Sequence, residues 1–170
     1  MPKGFSHEKP QDGVTVEWYT PPYVFDALRV EFDLDPCAAP QHDHVPAKNK
    51  ILLPQNGLIE EWRGNVWLNP PYGKSTSQWI KKLAEHGNGI ALVFARTDTE
   101  WFHHAVETCD AICFIRKRVK FIDGNDGEPK GAPGASSCLI AWGIDNAFSL
   151  MESGLGVVMA NIYKQVGNDY

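Results

Sequence analysis

The chain has 170 residues, 43% of them hydrophobic and 22% charged, with a formal net charge of -5. This is ordinary globular usage over about one domain's length, which excludes a disordered tail protein, a collagen and a coiled coil. The longest apolar run, residues 90–95, is far too short to span a bilayer, and the polar start MPKGFSHEKPQDGVT has no apolar signal core. A soluble, cytoplasmic protein without membrane contact is therefore expected.

Because the whole molecule is acidic, any nucleic-acid contact must come from a local basic patch. The four cysteines, Cys37, Cys109, Cys113 and Cys138, show no paired close spacing and read as reduced thiols. The 12 prolines and 6 tryptophans, several of both before residue 80, direct the search for function to that half.

In chain order, residues 1–14 read as a loose N-terminal arm and 15–170 as one domain. YVFDALRVEF (23–32) places Val24, Phe25 and Leu28 at helical spacing behind two prolines suited to a first turn. Residues 32–35 alternate as a brief strand ending in acidic residues, and 38–55 reads as a long loop. A strand is predicted at 65–68, a helix capped by a hydroxyl residue at 75–86, and a buried strand at 89–95. Then come a helix at 99–108 and strands at 111–115, 119–122 and 137–142, the last two separated by the turn-rich DGNDGEPKGAPGAS. The fold class is α/β: a three-layer, mostly parallel sheet with an antiparallel hairpin near the C-terminus. The arm and the stretch after Gly143 carry no legible function. Ligands in such sheets sit at the carboxyl ends of strands.

Asn69, Pro70, Pro71 and Tyr72 stand at such an end, directly after the apolar NVWL. Neither proline donates a backbone hydrogen bond, and Asn69, preceding a proline, is pushed toward an extended conformation, so the corner keeps free carbonyl acceptors. The Asn69 side-chain oxygen and the Pro70 carbonyl can face one amino group, with the Tyr72 ring beside it. Two acceptors on the hydrogens of a nucleobase amine favour a pyramidal nitrogen and stabilise the charge that develops as it attacks an electrophilic methyl. The base would first leave the duplex stack, and Tyr72 would recover part of that cost by stacking.

These residues resemble the short phage-type DNA N6-adenine methyltransferases, which depend on S-adenosylmethionine. The resemblance runs from Glu17 to Gly143 through EWYTP (17–21), FDLDPCA (32–38), NGL (56–58), WLNPPYG (67–73), RTDT (96–99) and RVKF (118–121), in the family's order. It implies a Rossmann-like methyltransferase fold and a site-specific transfer of methyl from S-adenosylmethionine to N6 of adenine in double-stranded DNA. It also implies that Asn69, Pro70, Pro71 and Tyr72 hold the target adenine. Thr20, Asp35, Cys37 and Ala38 would line the methionine end of the cofactor, Asn56 and Leu58 its adenine, and Trp18 would join them. If the chain is phage-encoded, its compartment is the host cytoplasm.

The short spacing between Asp35 and Asn69 leaves no room for a large target-recognition insert, so DNA selectivity is expected from surface loops. Arg116, Lys117, Arg118 and Lys120 form a basic run alternating with Val119 and Phe121 in a strand pattern. Together with Phe121, Lys74 and Arg96 they are the candidate DNA contacts, with Lys81 and Lys82 as a possible second patch. A charged edge strand is the plain alternative for the run. Cys37, His42 and His44 lack a fourth ligand for zinc, GNDG after Asp123 lacks the terminal Glu of a calcium loop, and no metal is expected. GLGVV (154–158) is not a phosphate cradle. An RNA base or a glutamine amide would suit the same tetrad, and a non-catalytic DNA-binding relic is the alternative from another class. The sequence leaves the oligomeric state open, with a monomer favoured.

Overall fold

The computed structural model describes residues 18–41, 44–124, 126–129 and 134–161. The arm 1–14, Glu17, His42 and the middle of the loop after Asp123 lie outside the described residues. The elements are β1 (Trp18–Tyr19), α1 (Pro22–Leu28), β2 (Phe32–Asp35), β3 (Ala47–Lys50), β4 (Val66–Leu68), α2 (Thr76–His86) and β5 (Gly89–Phe94). They continue through α3 (Glu100–Thr108), β6 (Ala111–Ile115), β7 (Ile122–Asp123), β8 (Ser137–Trp142), α4 (Ile144–Glu152) and β9 (Gly156–Ala160).

One mixed sheet has the order β3-β2-β4-β5-β8-β6-β9, and β1 and β7 pair separately as a small antiparallel ribbon. The β3-β2-β4-β5 half is parallel, whereas β8 runs antiparallel to both β5 and β6, and β9 runs antiparallel to β6. Side chains alternate across this sheet into two cores. Leu68, Val93, Ile112 and Ile140 pack with Trp79, Ile80 and Leu83 of α2 and Phe102 and Ala105 of α3. On the opposite face Trp67, Leu92, Cys113 and Leu139 pack with Val24, Phe25 and Leu28 of α1 and Ala147 and Leu150 of α4. Helices thus cover both faces. Trp67 meets Phe25 edge-on at 4.7 Å and Phe32 at 5.4 Å between ring centroids.

Side chains also close the ends of the elements. Asn146 sets its amide nitrogen within 3.0 Å of the Asn65 and Asn88 side-chain oxygens and of the Trp142 carbonyl. Asn161 donates to the carbonyls of Val106, Glu107 and Cys109, satisfying acceptors that the end of α3 would otherwise leave open.

The strand expected at 119–122 does not form a hairpin with 137–142. Residues 116–121 run as irregular chain, and only Ile122–Asp123 is a strand, paired with β1. Val119 and Phe121 are buried by packing into the α1 side of the core, which produces the same apolar alternation as a strand. Within the expected loop 38–55 lies β3, whose Ala-Lys-Asn-Lys carries no apolar periodicity because it is an exposed edge. The tail adds α4 and β9, and the GLGVV segment enters β9. There Gly156 runs so close to the Phe114 carbonyl that a Cβ would collide with it.

Gly156→Ala is therefore expected to push β9 off β6 and to destabilise the chain by about 1–3 kcal/mol. Urea denaturation checks this, with a lowered midpoint the expected result.

Candidate active site

Strand direction brings the functional segments to one rim. The carboxyl ends of β2, β4, β5 and β6 lie on the same edge of the sheet, and the first residues of β8 and β9 meet them there, since Ser137 pairs with Phe94 and Gly156 with Ile115. Along the sheet the order is Asp35 at the end of β2, Asn69 after β4, Phe94 at the end of β5 with Arg96 just beyond it, Ser137 at the start of β8 and the basic run after β6.

Asn69 is half-buried, and its amide nitrogen donates to the Trp18 carbonyl at 3.0 Å. That bond turns Oδ1 the other way. Among the described residues no protein donor reaches Asn69 Oδ1 or the Pro70 carbonyl. Pro70 is buried, while Pro71 and Tyr72 are exposed, so the corner is seated in the sheet and open on its outer side.

Tyr72 is fixed at its tip: its hydroxyl oxygen accepts the Phe94 backbone N–H at 2.9 Å, and its ring stacks on Phe94 at 4.4 Å. The residue remains 43% exposed because only the hydroxyl end is enclosed. Desolvation there pushes the phenol pKa up and keeps it neutral. Phe94 rests edge-on against Phe121 at 6.1 Å, which makes Phe121 a packing residue of the site's floor. At 4% exposure, Phe121 does not offer the surface contact to DNA expected from the sequence.

The turn after Tyr72 is held by Thr76, not by the expected cap. Ser75, the residue before α2, makes no side-chain capping bond. Instead the buried Thr76 hydroxyl donates to the Pro71 carbonyl at 3.1 Å and accepts the Gly73 N–H at 2.9 Å. Gly73 takes a φ of 143°, in the region that favours glycine.

Next to this corner, Asp35 is 3% exposed and accepts the Cys37 N–H at 2.9 Å, which folds the chain back after β2. Burial first, and then the Asp35 charge, push the Cys37 thiol pKa up, so it stays protonated. The half-buried Ala38 donates its N–H to the Ile51 carbonyl. Thr20 is 2% exposed and its hydroxyl has no partner among the described residues. Trp18 contributes its carbonyl to Asn69, while the residue itself is 43% exposed. Asn56 is exposed and closes a turn by accepting the Leu58 N–H at 3.0 Å; Gly57 between them packs so tightly on the Pro36 carbonyl that no side chain would fit. Lys82 locks this turn from behind, donating to the carbonyls of Gly57, Leu58 and Glu60 and lying 4.9 Å over the Trp62 ring.

That use removes Lys82 from the surface patch expected of it, and Lys81 faces Glu85 at 3.8 Å. Lys74 and Arg96 are exposed on the rim. Arg116, Lys117, Arg118 and Lys120 are also exposed, and with Tyr23, Ile115, Gly154 and Leu155 they line an open bowl of about 580 Å³. The four cysteines are free thiols, and among the described residues no three His, Cys, Asp or Glu side chains gather as a metal site. No helix among the described residues is long and apolar enough to cross a membrane. Phe94 and Ser137 escape sequence inspection because each sits at the end of an apolar run and is placed by strand pairing, and Thr76 because its two turn hydrogen bonds show only in the folded corner.

Thr76→Val keeps the shape and removes the hydroxyl, leaving Gly73 N–H and Pro71 C=O unpaired. A loss of about 1–3 kcal/mol is expected in thermal unfolding, largely recovered in Thr76→Ser.

No curated protein and no solved structure matches the chain. The profile of one family, described as DNA N-6-adenine-methyltransferase (Dam), matches residues 8–157, a span that includes the Asn-Pro-Pro-Tyr corner, the Asp35 turn and the basic run. The chain belongs to the DNA N-6-adenine-methyltransferase family.

Proposed function

We propose that residues 15–170 act as one Rossmann-like methyltransferase domain that moves a methyl group from S-adenosylmethionine to N6 of an adenine in double-stranded DNA. The observation that carries this reading is the Asn69 amide, tethered through its nitrogen to the Trp18 carbonyl, with its oxygen and the Pro70 carbonyl unclaimed by any donor among the described residues. Family membership supplies the substrate class.

The residues beside Asn69 fit the cofactor. Thr20 presents a buried hydroxyl with no partner among the described residues, a group that suits a ligand's charged amino-acid end. Asp35 places a buried carboxylate at a strand's carboxyl end, and the Asn56-Gly57-Leu58 turn packs directly against the segment following it. Thr20, Asp35, Cys37 and Ala38 would hold the methionine end, with Trp18 beside them, and Asn56 and Leu58 the adenine end. S-adenosylmethionine, when bound, supplies an electrophilic methyl.

The chain's own groups do the rest. Asn69 Oδ1 and the Pro70 carbonyl accept hydrogen bonds from the target amine, holding its lone pair in line and stabilising the positive charge that grows on nitrogen. The amine proton is then released to solvent, with no pKa-tuned base needed. Tyr72, braced on Phe94, offers its remaining surface to the flipped base. The cationic bowl, with Lys74 and Arg96 on the same rim, takes backbone phosphates, supplying locally the attraction that the molecule's net charge of -5 denies it.

Asn69→Ala is expected to lower kcat by about 10²- to 10³-fold, or about 2.7–4 kcal/mol, while S-adenosylmethionine binding measured by calorimetry is retained. Labelled-methyl assays on DNA, RNA and a protein lysate check the substrate: label confined to DNA is expected, and label confined to protein would overturn the proposal. Replacing Lys117 and Lys120 together by Gln should weaken binding to all DNA sequences alike. The slope of log affinity against log salt should become shallower by about 2.

A further inference from the structure

We infer that Ser137 is a specificity-determining residue, donating its hydroxyl hydrogen bond to a ring nitrogen of the flipped target base. The inference rests on the adenine-methyltransferase reading above and assigns a residue that neither sequence motif nor family membership marks.

Ser137 opens β8, is 4% exposed, and its Oγ has no hydrogen-bond partner among the described residues. The rest of its strand, CLIAW, is wholly apolar and buried. A hydroxyl kept in such a place without a partner is costly, and an unpaired buried group in a folded protein points to a ligand that completes it.

Its position says which ligand. Because β8 is antiparallel to β5, Ser137 stands at the carboxyl end of β5, paired with Phe94. Phe94 is the ring on which Tyr72 stacks at 4.4 Å, and its N–H holds the Tyr72 hydroxyl. By alternation Ser137 shares a sheet face with Leu139 and Ala141, the face on which Phe94 and Phe121 also pack. A base resting against the exposed side of Tyr72 would lie beside this part of the rim.

The remaining orphaned groups do not share that position. Trp67 Nε1 belongs to a side chain enclosed by Phe25 and Phe32, His104 lies on α3 on the opposite face, and Thr20 is accounted for by the cofactor site.

Adenine flanks its N6 amine with two acceptors, N1 and N7, and a serine O–H can donate to either. Asn69 and Pro70 address the amine itself, so a donor to a neighbouring ring nitrogen supplies what those two acceptors lack. It fixes the base's rotation within its own plane. A site built to hydrogen-bond one group discriminates against a base that lacks it, because the hydroxyl then stays unpaired.

The test compares the full chain and Ser137→Ala on duplex DNA amplified with dATP, 7-deaza-dATP or 1-deaza-dATP, with thermal unfolding and S-adenosylmethionine affinity measured alongside. On ordinary DNA, Ser137→Ala should lower kcat/KM roughly three- to tenfold, the worth of one neutral hydrogen bond, at unchanged cofactor affinity, and Ser137→Thr should restore activity. On one of the two analogues the wild type and Ser137→Ala should become equal, because the acceptor has already been removed. An unchanged rate on ordinary DNA, or the same fold loss on both analogues, would overturn the assignment. Absence of methyl transfer by the wild-type chain on every DNA would instead overturn the methyltransferase reading, and the assignment with it, so the two failures give different results.

Discussion

The bond from Asn69 Nδ2 to the Trp18 carbonyl is the constraint on which the site depends. A carbonyl can only accept, so the amide must turn its nitrogen toward Trp18 and its oxygen away. The two prolines that follow cannot donate, and among the described residues no other donor reaches that oxygen or the Pro70 carbonyl. Tyr72 and Thr76 complete the frame, one hooked to the last N–H of β5, the other bridging Pro71 and Gly73. The acceptors are therefore set before any substrate arrives, which is the condition under which electrostatic stabilisation costs no reorganisation during the reaction.

The sheet sets this local corner in line with other polar and charged groups on one rim. Strand order fixes a lateral sequence from a buried carboxylate at β2, through the amide corner at β4 and the aromatic support at β5, to the cations after β6. In the proposed reading a cofactor, a base and a phosphate backbone would each meet a different part of one rim. The antiparallel insertion of β8 brings the amino end of one strand to the carboxyl ends of its neighbours, and with it the Ser137 hydroxyl. At the two outer edges the sheet differs. Lys48 and Lys50 charge β3, while β9 is uncharged and joined to β6 by a glycine with no room for a side chain.

Much of the candidate site's local geometry was legible in the sequence, because its central residues carry their conformational preference with them. Asn-Pro-Pro after an apolar strand can only be a corner, and the strands 111–115 and 137–142 are read from continuous apolar runs that burial on both faces requires. Other elements were hidden for equally physical reasons. The edge strand β3 buries too little to show a pattern, and residues 119–121 alternate like a strand because Val119 and Phe121 reach into the core from irregular chain. The contributions of Phe94 and Ser137 depend on which residues pairing sets opposite one another, information that lies in no single segment, while that of Thr76 comes from local turn bonds that a sequence reading assigns as readily to Ser75.

Nucleoside analysis by mass spectrometry of plasmid DNA incubated with the full chain and S-adenosylmethionine tests the central claim most directly. The account predicts N6-methyldeoxyadenosine as the product, with cytosine unmodified. Methylation on cytosine, or unmodified nucleosides under conditions where the folded chain binds S-adenosylmethionine, would contradict it.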